Sequence, residues 1–572
     1  MTSRSKIKVL IHSNYSRLGT GFGKNMKNIL FSLYNDPDIE LIEAANGAHQ
    51  GTDMLTPWDC YGTYPSDRNL LDQINKSGEK KRAATYGFYT IDQIIEKVKP
   101  DVYLGIEDIW AFKQFEDKEW WDKTKTIIWT TLDSLPILES AKEIYSRCDK
   151  MLVWASFAEK AMKKLGCENV ETLHGAVDYE NFFTLENRKD LRKRFNLDNS
   201  FVIGFVFKNQ LRKSVPNLLE GFKRFKILNK DSNAKLLLHT DWELGAGWDI
   251  PKYIKEKEIN PDDILATYIC NDCNSYFVHK YLGENQKCPS CDSPKGLKTK
   301  NNSKGVSEKQ LNEIYNLMDV YCHPFTSGGQ ELPIQEAKGA GLLTLVTNYS
   351  CGEDSCHEHQ GGLPLDWSEY REPSTQFIKA STNADSICEQ LSKVYLMDES
   401  EKKAIIDNGK DYIKEKFCIK KTVAKLKETI IKVNKQKKDP IEKKKPVEEE
   451  KNRMVKMTEL VDDEGAENRL LVVIPHSAGD VLMVNGLVKN IKDTYPDKNI
   501  YVSTNMDFLS MLDDNPYIHK IIPYSKKFEN VFFLEGRGEE EGFFEIAFLP
   551  HTTTQKTGNY VHNGKDKINY FK

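Results

Sequence analysis

The chain carries no apolar run near the ~18 residues that a membrane-spanning helix needs. It also lacks an excess of charge of one sign, since 81 Lys and Arg stand against 85 Asp and Glu, a net −4. That balance excludes a global pull toward nucleic acid or an anionic membrane, and no nucleic-acid partner is expected. No secretory leader is visible: "MTSRSKIKVLIHSNYS" enters a strand-like run at once. Cysteine is thin for 572 residues, twelve in all and mostly scattered, which is no disulfide framework and fits a reducing compartment. These absences lead us to expect a cytoplasmic protein, soluble or peripheral to a membrane. The length makes two to four domains the prior.

Standard nucleotide signatures are missing too. The loop "NYSRLGTGFGKNM" (14–26) reads G-x-G-x-G, whereas the dinucleotide pattern needs its third glycine one residue later. It fails the P-loop as well, because Gly23-Lys24 is followed by Asn25. A nicotinamide-dependent oxidoreductase is thereby disfavoured.

What is present is a recurrence of short apolar strands and helical patterns. "KIKVLIH" (6–12), "DVYLGI" (101–106), "KTIIWTTL" (125–132) and "KMLVWAS" (150–156) form one series, with a helix near Lys24–Leu33. "SFVIGFVF" (200–207), "AKLLLHTD" (234–241), "MDVYCHP" (318–324) and "GLLTLVTN" (341–348) form a second. Strands alternating with helices predict parallel, doubly wound sheets. We therefore expect an α/β fold of two Rossmann-like lobes, 1–190 and 191–433, with ligands outside the carboxyl ends of the strands. Residues 434–468 alternate in charge and carry two prolines, the composition of a linker or, in part, a solvated helix. A third α/β unit follows at 469–572.

"CNDCNSYFVHKYLGENQKCPSC" places Cys270-x2-Cys273 and Cys288-x2-Cys291 fourteen residues apart. Two such knuckles supply four thiolates for a tetrahedral zinc with no open position, so the metal is expected to be structural. It would staple an insertion at 265–300 too small for its own core. A second Cys/His group, Cys351, Cys356, His357 and His359, has irregular spacing, and we read it as a loop with incidental ligand types.

Two segments carry the chemistry. "YCHPFTSGGQELPIQEAKGAGLLTLVTNYS" (321–350) reads as a strand end, the turn Ser327-Gly328-Gly329, a helix and another strand. Backbone N–H groups at such a turn and the helix dipole suit a phosphate. Glu331 and Glu336, five apart, need not share a job. "FVIGFVFKNQLRKSVPNLLEGFKRF" (201–225) crowds Lys208, Arg212 and Lys213 at the carboxyl end of a strand. Fixed cations there would stabilise a departing diphosphate. The blander alternative for both is a solvated surface loop.

The first stretch resembles the donor-site signature S-E-G-F-G-L-P-x-L-E-A-x-x-x-G of retaining family 4 glycosyltransferases with the GT-B fold. Ser327, Gly329, Leu332, Pro333, Glu336, Ala337 and Gly341 match it. "VETLHGAVDYENFF" (170–183), "VSEKQLNEIYNLMDVYCHPF" (306–325) and "DYIKEKFCIKKTVAKLKETIIKV" (411–433) are similar to the interlobe, donor-lobe and closing segments of that family. The resemblance implies transfer of a sugar from a nucleotide diphosphate donor to a hydroxyl acceptor (glycan, lipid or protein) with retention and without a catalytic metal. It implies that Glu336 binds the ribose and that Lys213 and Lys208 grip the phosphates, Lys208 standing where the family has arginine. Gly19, Thr20 and Gly21 become candidate donor contacts, together with Arg212, Gly328 and Gly329. The family's first glutamate falls on Gly328, and Glu331 is a substitute candidate three residues on. In "WTTLDSLP" (129–136) Asp133 matches the family's aspartate, a general base or else a helix cap, while Leu132 replaces its histidine. A non-catalytic sugar- or nucleotide-binding scaffold and a zinc-ribbon nucleic-acid-binding protein are the alternatives.

"RLLVVIPHSAGDVLMVNGLVKNIKDTYPDKNIYVSTN" (469–505) resembles the opening of family 9, the heptosyltransferases, with Asp480 at the position of their cleft aspartate. Half of such a fold is represented, so an incomplete or accessory module is expected.

Overall fold

A computed structural model describes residues 6–243, 245–300, 305–373, 375–436, 457–463, 466–475, 477–525, 528 and 543–550. The chain divides into two units, Met1–Ile441 and Glu442–Lys572. No helix among the described residues is long and apolar enough to cross a membrane.

The first unit contains two large sheets. Strands β1 (Ile7–Asn14), β2 (Ile39–His49), β3 (Asp59–Tyr64), β4 (Val102–Asp108), β5 (Lys125–Thr131), β6 (Lys150–Val153) and β7 (Val170–Thr172) form the first. All pairs are parallel, in the order β3-β2-β1-β4-β5-β6-β7. Val9, Leu10 and Ile11 are all buried, so β1 is covered on both faces, which is why its apolar run is continuous rather than alternating.

The second sheet comprises β8 (Phe201–Val206), β9 (Ala234–His239), β10 (Ile264–Cys270), β11 (Tyr276–Lys280), β12 (Leu297–Lys298), β13 (Val320–His323), β14 (Leu343–Thr347) and β15 (Gly362–Leu365). Its order is β11-β10-β9-β8-β13-β14-β15, with β12 also on β10. Only β11 and β12 run antiparallel, both against β10. They belong to the cysteine-rich insertion, so β10 is at once a strand of the main sheet and the root of that insertion. A separate antiparallel hairpin, β16 (Trp367–Arg371) and β17 (Ile378–Thr382), follows β15.

The helix Ile419–Lys435, which follows the second lobe in sequence, packs in the first. Its Val423, Leu426, Ile430 and Val433 join Val9, Ile11, Val102 and Leu104 beside the helix Gly21–Leu33. Cys418 bridges Val177 of the interlobe segment just before it.

The second unit is a four-stranded parallel sheet, β18 (Arg469–Val473), β19 (Asn499–Thr504), β20 (Lys520–Pro523) and β21 (Ile546–Phe548), in the order β20-β19-β18-β21. Of the expected linker, residues 437–456 lie outside the described residues. Its far end does not read as linker: the helix Met457–Val461 buries Met457 and Val461 in the core of the second unit. Two apolar residues four apart suffice for one buried helical face. Residues 551–572 of the expected module also lie outside the described residues.

Candidate functional site

In each large sheet the strand order reverses once, between β1 and β4 in the first and between β8 and β13 in the second. Loops leaving the carboxyl ends diverge at such a point and leave a crevice.

After β8 the chain turns through Lys208–Lys213. Buried Asn209 fixes this loop, donating to the carbonyls of Asp241 (3.0 Å) and Trp248 (2.9 Å) and accepting from Trp248 N–H (2.8 Å). Lys208 is exposed and has no side-chain partner among the described residues. Lys213, by contrast, is 3% exposed and Glu331 is 5% exposed. The Lys213 ammonium donates to Glu331 Oε2, and Arg212 Nη1 donates to Glu331 Oε1. Arg212 also donates to the Ser327 carbonyl at 3.3 Å. Burial works against the Glu331 carboxylate, but the two cations outweigh it and hold it well below the usual range. Burial pushes Lys213 down to about 8, helped by the neighbouring Arg212 charge and opposed by Glu331.

His323 sits against this cluster, its Nε2 3.4 Å from Lys213 Nζ. Burial and the Lys213 charge push it down to about 4, so it is neutral. Tyr321 donates its hydroxyl proton to the Val206 carbonyl (3.0 Å), so its oxygen accepts from His323 Nδ1 (2.9 Å). His323 Nε2 also lies 3.3 Å from Glu331 Oε2, so the ring stands against both members of the Lys213–Glu331 pair.

Gly328 and Gly329 are demanded by close approach. A Cβ at Gly328 would lie 2.7 Å from Glu331 Oε1 and 3.3 Å from Arg212 Nη1. The Glu331 carboxylate therefore stands where a side chain at 328 would project. A Cβ at Gly329 would strike Thr131 of the first lobe at 2.3 Å. The Gly328 N–H is taken by Ser350 Oγ at 3.3 Å, whose hydroxyl reaches the Asp133 carbonyl at 2.6 Å. Among the described residues, the turn's unpaired donors thus begin beyond Gly328.

Glu336 lies within the helix Leu332–Gly339, of which Glu331 is the N-cap residue. It accepts from Tyr315 Oη at 2.8 Å and pairs with Lys24 of the first lobe at 3.6 Å. The two glutamates do have separate partners.

At the other reversal, Thr20 caps the helix Gly21–Leu33, accepting from Gly23 N–H at 3.0 Å. Thr20 donates to Asn14 Oδ1 (3.0 Å), and Asn14 and Asn46 both donate to Glu107 Oε1. Asn46 Oδ1 then accepts from Thr63 Oγ and from His12 Nε2, each at 2.8 Å. His12 Nδ1 accepts from Tyr103 Oη at 2.8 Å. Burial drives Glu107 up to about 8, against its amide donors, so its carboxyl is largely protonated at neutral pH. Burial also raises the neighbouring Asp108, which accepts from Thr131 Oγ. Gly19 and Gly21 flank Thr20 in the same loop, and a Cβ at Gly21 would meet open space.

Asp133 is half-buried, and its carboxylate has no hydrogen-bond partner among the described residues. It caps no helix: Leu138 is the N-cap of the next one, Glu139–Arg147. Leu132 is buried in the first-lobe core.

The four cysteines of the insertion converge, all Sγ atoms lying within 4.8 Å of one another. Cys270 and Cys291 are 3.6 Å apart, Cys273 and Cys288 3.7 Å. A tetrahedron of thiolates at 2.3 Å from zinc has edges of about 3.8 Å, far longer than a disulfide. The knuckles repeat bond for bond. Asn274 donates to Cys270 O (3.1 Å) and Asp292 to Cys288 O (3.0 Å), both with left-handed φ, and the N–H groups of Cys270 and Cys288 reach Ser275 O and Ser293 O. Cys351, Cys356, His357 and His359 form no such cluster among the described residues. Asp480 lies in the first turn of the helix Ala478–Thr494, just beyond β18.

Sequence reasoning missed Glu107, Asn46, His323, Tyr315 and Lys24. Local pattern carries no signal for them, since each acts through partners distant in the chain.

No family model matches the chain, and no curated protein matches it. Solved structures do. Sucrose-phosphate synthase from Thermosynechococcus elongatus is 10% identical, with a TM-score of 0.52 over 75% of this chain and 99% of that one. A glycosyltransferase from Rickettsia africae is 13% identical, with a TM-score of 0.52 over 76% and 100%. Anabaena HepE in complex with UDP and glucose is 11% identical, with a TM-score of 0.50 over 74% and 100%. At such identities the likeness establishes the fold. The first unit has the GT-B fold of two Rossmann-like lobes, with a four-cysteine insertion in the second lobe.

Proposed function

We propose that the chain is a retaining glycosyltransferase that moves a sugar from a nucleotide diphosphate donor to a hydroxyl acceptor. The observation that carries this reading is the cluster at the second-lobe reversal. There Arg212 and Lys213, held on Glu331, stand beside the Gly328–Gly329 turn and the N-terminus of a helix bearing Glu336. Cations and helix N–H groups converging at one crevice suit a diphosphate.

In the reaction the bond from the anomeric carbon to the diphosphate oxygen breaks. The acceptor oxygen bonds that carbon on the same face, and the acceptor proton leaves with the diphosphate. Retention is taken from the family resemblance. Lys213 and Arg212 stabilise the departing charge, Lys208 adds a third cation from the exposed side of the loop, and Glu336 takes the ribose. Glu331 aligns the two cations and, from its position beside Gly328, orients the sugar. Asp133 stands as the candidate general base, and Gly19, Thr20 and Gly21 contact the donor.

The test is a screen of nucleotide sugars for transfer or hydrolysis. UDP-glucose comes first, because a neighbour of the same fold holds UDP and glucose. Lys213→Ala and Glu336→Ala should each lower turnover by about 100-fold. A chain that turns over no donor, or variants that keep full activity, would leave a non-catalytic binding scaffold instead.

The four-cysteine cluster is proposed as a structural zinc site. Metal analysis of the purified chain should find about one zinc per chain, and Cys288→Ser should abolish it. The second unit, with Asp480, is proposed as a heptosyltransferase-like module.

A further inference from the structure

Lys379 is a buried cation with no ion pair among the described residues. Lys379 lies on β17, in the hairpin that stands apart from both large sheets. The hairpin is pinned to the seam between the lobes. Leu135 of the first lobe bridges Ile378, and Tyr349 Oη donates to the Ile378 carbonyl at 2.8 Å. This carries the Lys379 side chain inward, to 7% exposure. Its ammonium donates to Ser134 Oγ of the first lobe at 2.9 Å and to Ser327 Oγ of the second at 2.8 Å.

Both partners are neutral hydroxyls. Among the described residues no carboxylate lies within ion-pair distance of Lys379, whereas the comparably buried Lys213 has Glu331. Buried charges are normally matched by an opposite charge. Two hydroxyls use two of the three ammonium protons, and the Phe377 ring centroid lies 5.4 Å from the ammonium, so no anion among the described residues balances the charge. The surroundings indicate the missing anion. Ser327 immediately precedes the Gly328–Gly329 turn, and its carbonyl accepts from Arg212. One residue is therefore held at its hydroxyl by Lys379 and at its carbonyl by a donor-site cation.

We infer that Lys379 is a further cation of the donor site, binding a phosphate oxygen of the nucleotide diphosphate at the lobe seam. The assignment rests on the donor-site reading above. Because Ser134 and Ser327 come from different lobes, the Lys379 position is complete only when the lobes are together, so diphosphate binding and closure reinforce each other.

Titration calorimetry of the full chain with UDP, ADP and GDP tests this, with the matching nucleoside followed by NMR. Lys379→Met keeps the length and removes the amine, and thermal unfolding checks that it folds. It should bind the preferred diphosphate at least about tenfold more weakly, bind the nucleoside as before, and be largely rescued by Lys379→Arg. Unchanged diphosphate affinity in Lys379→Met, or an equal loss for nucleoside and diphosphate, would overturn the assignment and leave the donor reading standing. A wild-type chain that binds none of the three diphosphates would remove both.

Discussion

At β1 and β4 the first lobe gathers Asn14, Asn46, Glu107 and Asp108; at β8 and β13 the second gathers Arg212, Lys213, His323 and Glu331. Topologically the two places are equivalent, each the single reversal of strand order in its sheet. Chemically they are opposites. The first is a carboxyl kept neutral by burial and held by amides. The second is a carboxylate kept charged, despite burial, by two cations. The fold supplies a crevice at each reversal, and the side chains at the strand ends decide which charge it holds.

The difference can be broken most severely at Glu331. Glu331→Gln leaves Lys213 buried without its carboxylate, and breaking such a pair costs roughly 3 kcal/mol, read by chemical denaturation. Equal stability would mean that the cations do not depend on that carboxylate. Next is the point where the lobes touch. Gly329→Ala drives a methyl into Thr131, and overpacking of this kind costs about 1–3 kcal/mol. Because the clash lies at the seam, the loss should be in closure: X-ray scattering should show a more open first unit.

A third change sharpens the contrast through pH. Glu107 is raised to about 8 in the folded chain from 4.5. The folded state therefore holds more protons between those values. Its contribution to stability is full below pH 4.5 and is lost as pH rises toward 8, by no more than about 1.4 kcal/mol per pH unit. Glu107→Gln should remove that slope. Lys213 is lowered to about 8 from 10.5, so in its window, 8 to 10.5, stability should rise with pH. A stability profile with the same sign in both windows would contradict the assignment of opposite environments.

Much of this organisation was legible locally. The apolar runs of β1, β4, β5, β6, β8, β9, β13 and β14 announce parallel strands, because a strand covered on both faces must be apolar throughout. The C-x2-C knuckles announce the four-cysteine cluster, because that spacing lets four thiols converge. Other elements were not legible. β2 and β3 mix polar and small residues, and β16 is exposed along four of its five positions. The helix Ile419–Lys435 reads as amphipathic, but which lobe receives its apolar face depends on how the chain crosses back at Cys418.

In the site itself, residue types at strand ends marked Lys213, Glu331 and Glu336, yet their pairings were out of reach. Glu331 meets Lys213 across 118 residues, and Lys379 meets Ser134 across 245. Periodicity and spacing report on neighbours within a few turns. Whether a carboxyl is protonated, or a lysine is left without a counter-ion, depends on what distant segments bring against it. The sequence by itself determined the α/β class, the four-thiolate knuckles and a basic loop beside a Gly-rich turn. Only the tertiary structure decided that Glu331 is committed to two cations, that Glu107 is buried among amides, and that Lys379 is buried at the seam between Ser134 and Ser327 with no ion pair among the described residues. Burial is a property of the packed whole, and burial sets the state of each of these groups.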